Sequence, residues 1–347
     1  MVKARINYID ALRGFTMFVV VFVHVLNFLF GMLDSFLCQL FVTFMMPMFF
    51  FISGYLAYKP VEKFSFDTYA QMTRKKAVSL LVPATLFWCI FVVYLCKGDR
   101  SPIEYIAEKG FVTYWFLYAL MGHFVVYYSM ALMANYNKIV KKFLDAILIF
   151  VAVVGVVIYL LFNNRASCES LRVFAFFDFC FYFQFFVLGI FAKRHHRLWE
   201  KSLHNDKFIT AVIIVFVACL FVIFHPRVSQ YVPAVVAKVC VHEVVKYAGV
   251  LIVFAYFRRN AEFFNAENSW VKSILFVGRR TLDVYLIHFF FLSFSMDALC
   301  FGTINLFVIQ FFITVLLATL VMATSLGVGS IIRMSGFLAR YLLGANR

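Results

Sequence analysis

The feature that most constrains this chain is a recurrence, from one end to the other, of apolar runs long enough to cross a membrane and almost free of Asp, Glu, Lys and Arg. About 20 helical residues span the roughly 30 Å of bilayer hydrocarbon. Ten such runs can be placed: Gly14 to Leu33, Ser35 to Tyr58, Ala77 to Cys96, Gly110 to Met133, Ala146 to Leu161, Val173 to Ala192, Phe208 to Phe224, Val232 to Phe257, Leu282 to Phe301 and Ile304 to Ile332. Lipid offers no partner to a backbone amide, so each run must satisfy its own hydrogen bonds as a helix. The runs are about twice the length of a barrel strand and do not alternate, which excludes an outer-membrane barrel. The expected fold class is all-α, a polytopic integral membrane protein with about ten transmembrane helices. A composition of 64% hydrophobic, 20% aromatic and 14% charged residues rules out a water-soluble globule. The apolar content is not broken by the polar tracts of disordered or low-complexity chains.

The net charge of +15 raises the question of a polyanionic partner. The basic residues, however, sit in short clusters between apolar runs and not on one face, so nucleic acid is not an expected partner. They report topology instead. Of the 32 Lys and Arg, 24 fall in the connections on one side and 6 on the other, with Lys238 and Lys246 inside a run. Both termini are therefore expected in the cytoplasm. The first apolar stretch is too long for a signal peptide and lacks a small-residue cleavage site, so it reads as a retained span. Connections are short, and one membrane-embedded domain over residues 1–347 is expected, without a soluble extracytoplasmic domain. The 8 Cys lie mostly in or beside apolar runs with neither CxxC spacing nor paired His, so no disulfide framework and no metal site is expected.

Ionisable groups inside a span are costly and usually face a bundle interior or a watery cavity. Those in this chain are His24, His123, Asp178, Lys238, His242, Glu243, Lys246, His288 and Asp297. In the first span Arg13 and His24 are eleven residues apart, which returns to within about 20° of one helix face with a rise near 16 Å. Asp10, three residues before Arg13, lies close to that stripe. Arg13 as a topological anchor and His24 as a packing residue is the alternative reading. In the eighth span Glu243 and Lys246, at i and i+3, are placed to pair, either as a neutralised structural network or as part of a substrate site. For His123, His288, Asp178 and Asp297 taken singly, a satisfied structural role outweighs a functional one.

The opening R-x4-D-x-L-R-G followed by a histidine (Arg5, Asp10, Leu12, Arg13, Gly14, His24) resembles the bacterial membrane acyltransferase-3 family, whose first helix carries an Arg and a His at this separation. Four further segments are similar to it: Phe44 to Leu56, Tyr114 to Leu120, Phe185 to Arg194 and Gly278 to His288. The likeness is to the compact branch of fucose and enterobacterial common antigen O-acetyltransferases. It implies transfer of an acyl group, usually acetyl, from acyl-coenzyme A to a hydroxyl of a cell-envelope glycan, in the inner membrane of a bacterium. The implied catalytic set is His24, Arg13 and Asp10. Histidine suits proton abstraction from a sugar hydroxyl near neutral pH, or alternatively acceptance of the acyl group as an acyl-imidazole. The planar fork of Arg13 suits the phosphates or thioester carbonyl of the donor, with Asp10 orienting it. Trp115, Arg172, Lys238, His242, Glu243 and His288 are the candidates for substrate binding. The implied partners are acyl-coenzyme A (acetyl-CoA above all), an envelope glycan acceptor and the bilayer, with no metal. A secondary transporter or flippase is the alternative from another class, but the chain shows no echo of two corresponding halves.

Overall fold

The computed structural model describes residues 6–32, 35–96, 112–163, 175–225, 240–292 and 307–345. Among these the regular structure is helical. In chain order the helices are α1 (Asn7–Phe30), α2 (Phe36–Ala57), α3 (Phe66–Cys96), α4 (Trp115–Tyr136), α5 (Lys138–Phe162), α6 (Phe176–Arg194), α7 (His196–Leu203), α8 (Asp206–Phe224), α9 (His242–Arg259), α10 (Ser269–Arg279), α11 (Thr281–Leu292), α12 (Phe307–Ile332) and α13 (Gly336–Leu342). Eight of them, α1 to α6, α8 and α12, are long and apolar enough to cross a membrane. Two more occupy the remaining expected runs. One is α9, whose 18 residues include Glu243, Lys246, Arg258 and Arg259; the other is the 12-residue apolar α11. The architecture is the expected all-α, multi-pass membrane protein.

Helices α1, α3 and α5 begin well before their charge-free runs, for a physical reason. Helix α1 begins at Asn7, so Asp10 and Arg13 belong to the same helix as His24. Helix α3 begins at Phe66 and continues through Arg74, Lys75 and Lys76, because Lys and Arg are good helix formers and the Ser65 hydroxyl caps the Thr68 amide. Other starts are capped in the same way: Asn137 accepts from the amides of Ile139 and Val140, Asn205 from Phe208, and Asn268 from Val271. Hydroxyls inside the helices return to their own backbone, as Thr16 to the Leu12 carbonyl and Ser325 to that of Val321, which removes unsatisfied donors from the lipid phase.

The chain divides into two compact units. One comprises residues 1–52 and 195–328, the other 53–194 and 329–347. In the first unit α1 is the central helix, with Ile9, Leu12, Met17, Val21 and Phe22 among its buried residues, and α10, α11 and α9 pack around it. Helix α9 is tied by charge to its two predecessors: Arg258 donates to Glu200 of the short α7 at 2.8 Å and Arg259 to Asp206 of α8 at 2.7 Å. In the second unit α5 packs on α6 and α4 on α3. Its closest seam is at Gly54 in α2, where an added Cβ would sit 1.9 Å from the Phe186 carbonyl oxygen of α6. Lipid-embedded helices gain from such approaches because hydrocarbon gives no hydrophobic drive to association. Lys141 with Glu62 (2.6 Å) and Arg194 with Asp145 (2.9 Å) clamp one polar end of this unit.

Candidate active site

In the first unit α1 and α10 meet backbone to backbone. A Cβ on Gly278 would lie 1.7 Å from the Asp10 carbonyl oxygen, and one on Gly14 would lie 2.5 Å from that of Ile274. Both positions therefore require glycine. The crossing sets the polar end of the site. Helix α10 ends at Arg279, the chain turns at Arg280, and it re-enters a helix at Thr281. Arg13 thereby donates to the Thr281 hydroxyl at 2.9 Å. The Asp10 carboxylate, only 13% exposed, lies 4.0 Å from Arg13 and accepts from Arg279 at 3.3 Å. One carboxylate thus sits between two guanidiniums and holds the Arg13 fork against the start of α11.

Eleven residues further along α1, His24 reaches the same helix α11. Its Nδ1 lies 3.1 Å from His288 Nε2, with the two rings inclined by 19°. His288 is fully buried, and its Nδ1 lies 2.9 Å from the Val284 carbonyl oxygen one turn earlier. These contacts fix the tautomers. A carbonyl only accepts, so His288 Nδ1 carries the hydrogen and His288 Nε2 is the acceptor. His24 must then donate from Nδ1, which leaves its Nε2 as the nitrogen with the lone pair. Phe28 and Phe289 stand beside the His24 ring at 5.9 Å and 5.0 Å, and Phe28 is 48% exposed. Thr281 and His288 are seven residues apart on α11, which also returns to within about 20° of one face. The α1 stripe and the α11 stripe therefore face each other, with the arginine and the imidazole both turned to protein.

The acyltransferase-3 profile, described as "Acyltransferase domain", matches residues 6–327, which is most of the chain. The chain belongs to this family. Over 120 residues it is 31% identical to Nodulation protein NolL of Sinorhizobium fredii (strain NBRC 101917 / NGR234), a match covering 33% of this chain and 31% of that protein. The chain thus spans about a third of the length of the curated relative it matches. No solved structure matches.

Membership in the acyltransferase-3 family makes the α1–α11 seam the place to compare with the remaining sequence candidates. Glu243 and Lys246 form the anticipated pair at 2.6 Å, half-buried in the first two turns of α9, and His242 opens that helix. Trp115 begins α4 in the second unit and packs on Tyr182 with ring centroids 5.3 Å apart. Arg172, Lys238 and Asp297 lie outside the described residues. His123 is fully buried, donates from Nε2 to the Phe179 carbonyl at 2.7 Å and is ringed by Phe179, Phe183 and Phe186, which is the structural role expected of it. Among the described residues no group of three or more His, Cys, Asp or Glu is placed to hold a metal ion. Sequence reasoning missed Thr281 as the partner of Arg13 and Arg279 as the partner of Asp10. It passed over the buried Asp283 as well, in the first turn of α11 where a carboxylate suits the helix dipole. All three stand in the segment Gly278 to His288, whose likeness to the family was the available signal.

Proposed function

We propose that the chain is an O-acyltransferase of the bacterial inner membrane, one membrane-embedded catalytic domain that moves an acyl group, acetyl in the simplest case, from acyl-coenzyme A to a hydroxyl of a cell-envelope glycan. The observation that carries this reading is the hydrogen-bonded series from the Val284 carbonyl through His288 to His24, which leaves a basic nitrogen on His24. In the proposed reaction the acceptor hydroxyl gives its proton to His24 Nε2 as its oxygen bonds to the thioester carbonyl carbon. The C–S bond then breaks, and the departing thiolate takes that proton back as a thiol. Arg13, held by Asp10 and Thr281, binds the donor through its phosphates or its carbonyl oxygen, and its permanent charge is worth most where water is excluded. His288 acts through His24 as a positioning residue, fixing the tautomer and angle of the base. His242 and Glu243, with Lys238, are proposed for the acceptor, where charged groups hold sugars.

The test is purified protein in proteoliposomes with isotopically labelled acetyl-coenzyme A and candidate envelope glycans, read by mass spectrometry. The expected result is one acetyl mass increment on the glycan and one equivalent of free coenzyme A. Counterflow of labelled solute without coenzyme A, together with no acetylated product, would replace this reading with a transporter.

A further inference from the structure

Several basic residues of the cytoplasmic-side connections are neutralised by an acid. Lys141 is paired with Glu62, Arg194 with Asp145, Arg258 with Glu200, Arg259 with Asp206, and Arg279 with Asp10. One group differs. In the second unit Ala70, Gln71, Arg74, Lys75, Val78 and Ser79 form a single face of α3, since they recur at spacings of one, three and four. Arg340 and Tyr341 of α13 and the strap Gly344–Ala345 close over that face and enclose a crevice of about 640 Å³. Among the described residues its lining holds three cations and no carboxylate. None of Arg74, Lys75 and Arg340 makes a salt bridge with a described residue; Arg340 only lies over its neighbour's ring, 5.6 Å from the Tyr341 centroid.

The crevice is built and not a chance gap. Leu343 is buried, the Ala345 amide returns to the Ala339 carbonyl at 3.0 Å, and Gly344 takes φ of 59°. A Cβ at Gly344 would fall 2.3 Å from the Ser79 carbonyl oxygen, so the strap is seated on the α3 backbone. Topology alone explains why cations stand at this level, but not why three of them converge on one cavity with no acid among them. The position along the helices narrows the occupant. Arg74 and Lys75 immediately precede the apolar stretch of α3, and α13 follows the end of the α12 span. The flanking Met334 and Phe337 are 86% and 69% exposed, as expected of side chains that enter the lipid interface. The crevice therefore lies at headgroup depth, where an anionic lipid presents its phosphate.

We propose that this crevice binds the phosphate ester of an anionic membrane lipid, with Arg74 and Arg340 as the charged donors, Lys75 as a third point charge and Gln71 as a neutral donor. Guanidiniums take phosphate oxygens two at a time, which gives specificity over a diffuse positive surface. The site stands apart from the acyl-transfer reading and does not depend on it.

The test uses the full chain in nanodiscs and the binding of a fluorescent phosphatidylglycerol, read by energy transfer from a label on the scaffold. The double variant Arg74→Gln with Arg340→Gln is compared with Lys141→Gln, which removes a cytoplasmic-side charge elsewhere. The proposal predicts roughly tenfold weaker phosphatidylglycerol binding in the double variant, a difference of about one decade in Kd, and little change in Lys141→Gln. Both variants should keep the wild-type melting temperature in phosphatidylcholine, because the altered side chains are exposed. Equal loss in both variants would reduce the effect to general surface charge and overturn the proposal. In a second arm, adenosine 3′,5′-bisphosphate is titrated into phosphatidylcholine nanodiscs. Saturable binding that the double variant abolishes, without competition by phosphatidylglycerol, would assign the crevice to a soluble phosphate and overturn the lipid source.

Discussion

Two histidines, one in each unit, sit within membrane-crossing helices, and they are used in opposite ways. His123 of α4 is sealed among three phenylalanines and donates its Nε2 hydrogen to a carbonyl of α6. His24 of α1 is only partly covered, donates through Nδ1 to a second histidine, and keeps Nε2 as an acceptor. The difference teaches that an imidazole in a span becomes chemically useful through what fixes its other nitrogen. A carbonyl taken up by the ring consumes its hydrogen where nothing can reach it. A buried histidine partner aims the hydrogen inward and the lone pair outward.

Substitution at His24 should break this contrast most sharply. His24→Ala is expected to lower kcat for acyl transfer by about 10²- to 10⁴-fold, the usual contribution of a positioned base, while the protein still purifies as a folded species. His288→Asn comes next, with a loss of roughly tenfold or more in kcat and little change in donor KM, since partners that orient a reacting group typically cost 10- to 100-fold; a pure packing role would lower stability and leave the pH–rate profile unmoved. Arg13→Lys keeps the charge but not the fork, and is expected to raise donor KM by about tenfold, the value of one charge-assisted hydrogen bond.

The glycine seams sharpen the comparison through stability. Gly278→Ala and Gly54→Ala each force a Cβ against a backbone carbonyl and should cost about 1–3 kcal/mol in reversible unfolding. Only Gly278→Ala should also depress kcat beyond what its folded fraction explains, because that crossing aligns Asp10 and Arg13 with α11. His123→Phe is the smallest effect: a ring for a ring in an apolar cage, expected to leave kcat within about twofold. A large loss of kcat in a stable His123→Phe protein would mean that the two histidines are not used differently.

Much of this was legible in the sequence because the membrane imposes a strong rule. Charge-free runs of spanning length mark helices wherever they stand, and all ten runs contain one. The rule fails where helix and hydrocarbon do not end together, as at α3, whose first turns carry Arg74, Lys75 and Lys76 while still satisfying their own backbone. Local spacing also revealed Arg13 and His24 on one stripe and Glu243 beside Lys246, since both are properties of a single helix. The pairing of His24 with His288 was not legible. The two are 264 positions apart, and their meeting depends on Gly14 and Gly278 letting two backbones touch, a fact no periodicity carries. The same holds for Arg13 with Thr281. The segment Gly278 to His288 resembled the family, but likeness alone did not say that it faces the first helix.

The most direct test of the central claim is the protonation pattern of the His24 ring, read by nitrogen NMR on protein labelled with ¹⁵N-histidine, with His24→Gln used for assignment. At neutral pH the expected pattern is a neutral imidazole with hydrogen on Nδ1 and none on Nε2, which becomes a mixture of tautomers in His288→Asn. A His24 ring carrying its hydrogen on Nε2, or one indifferent to the removal of His288, would contradict it.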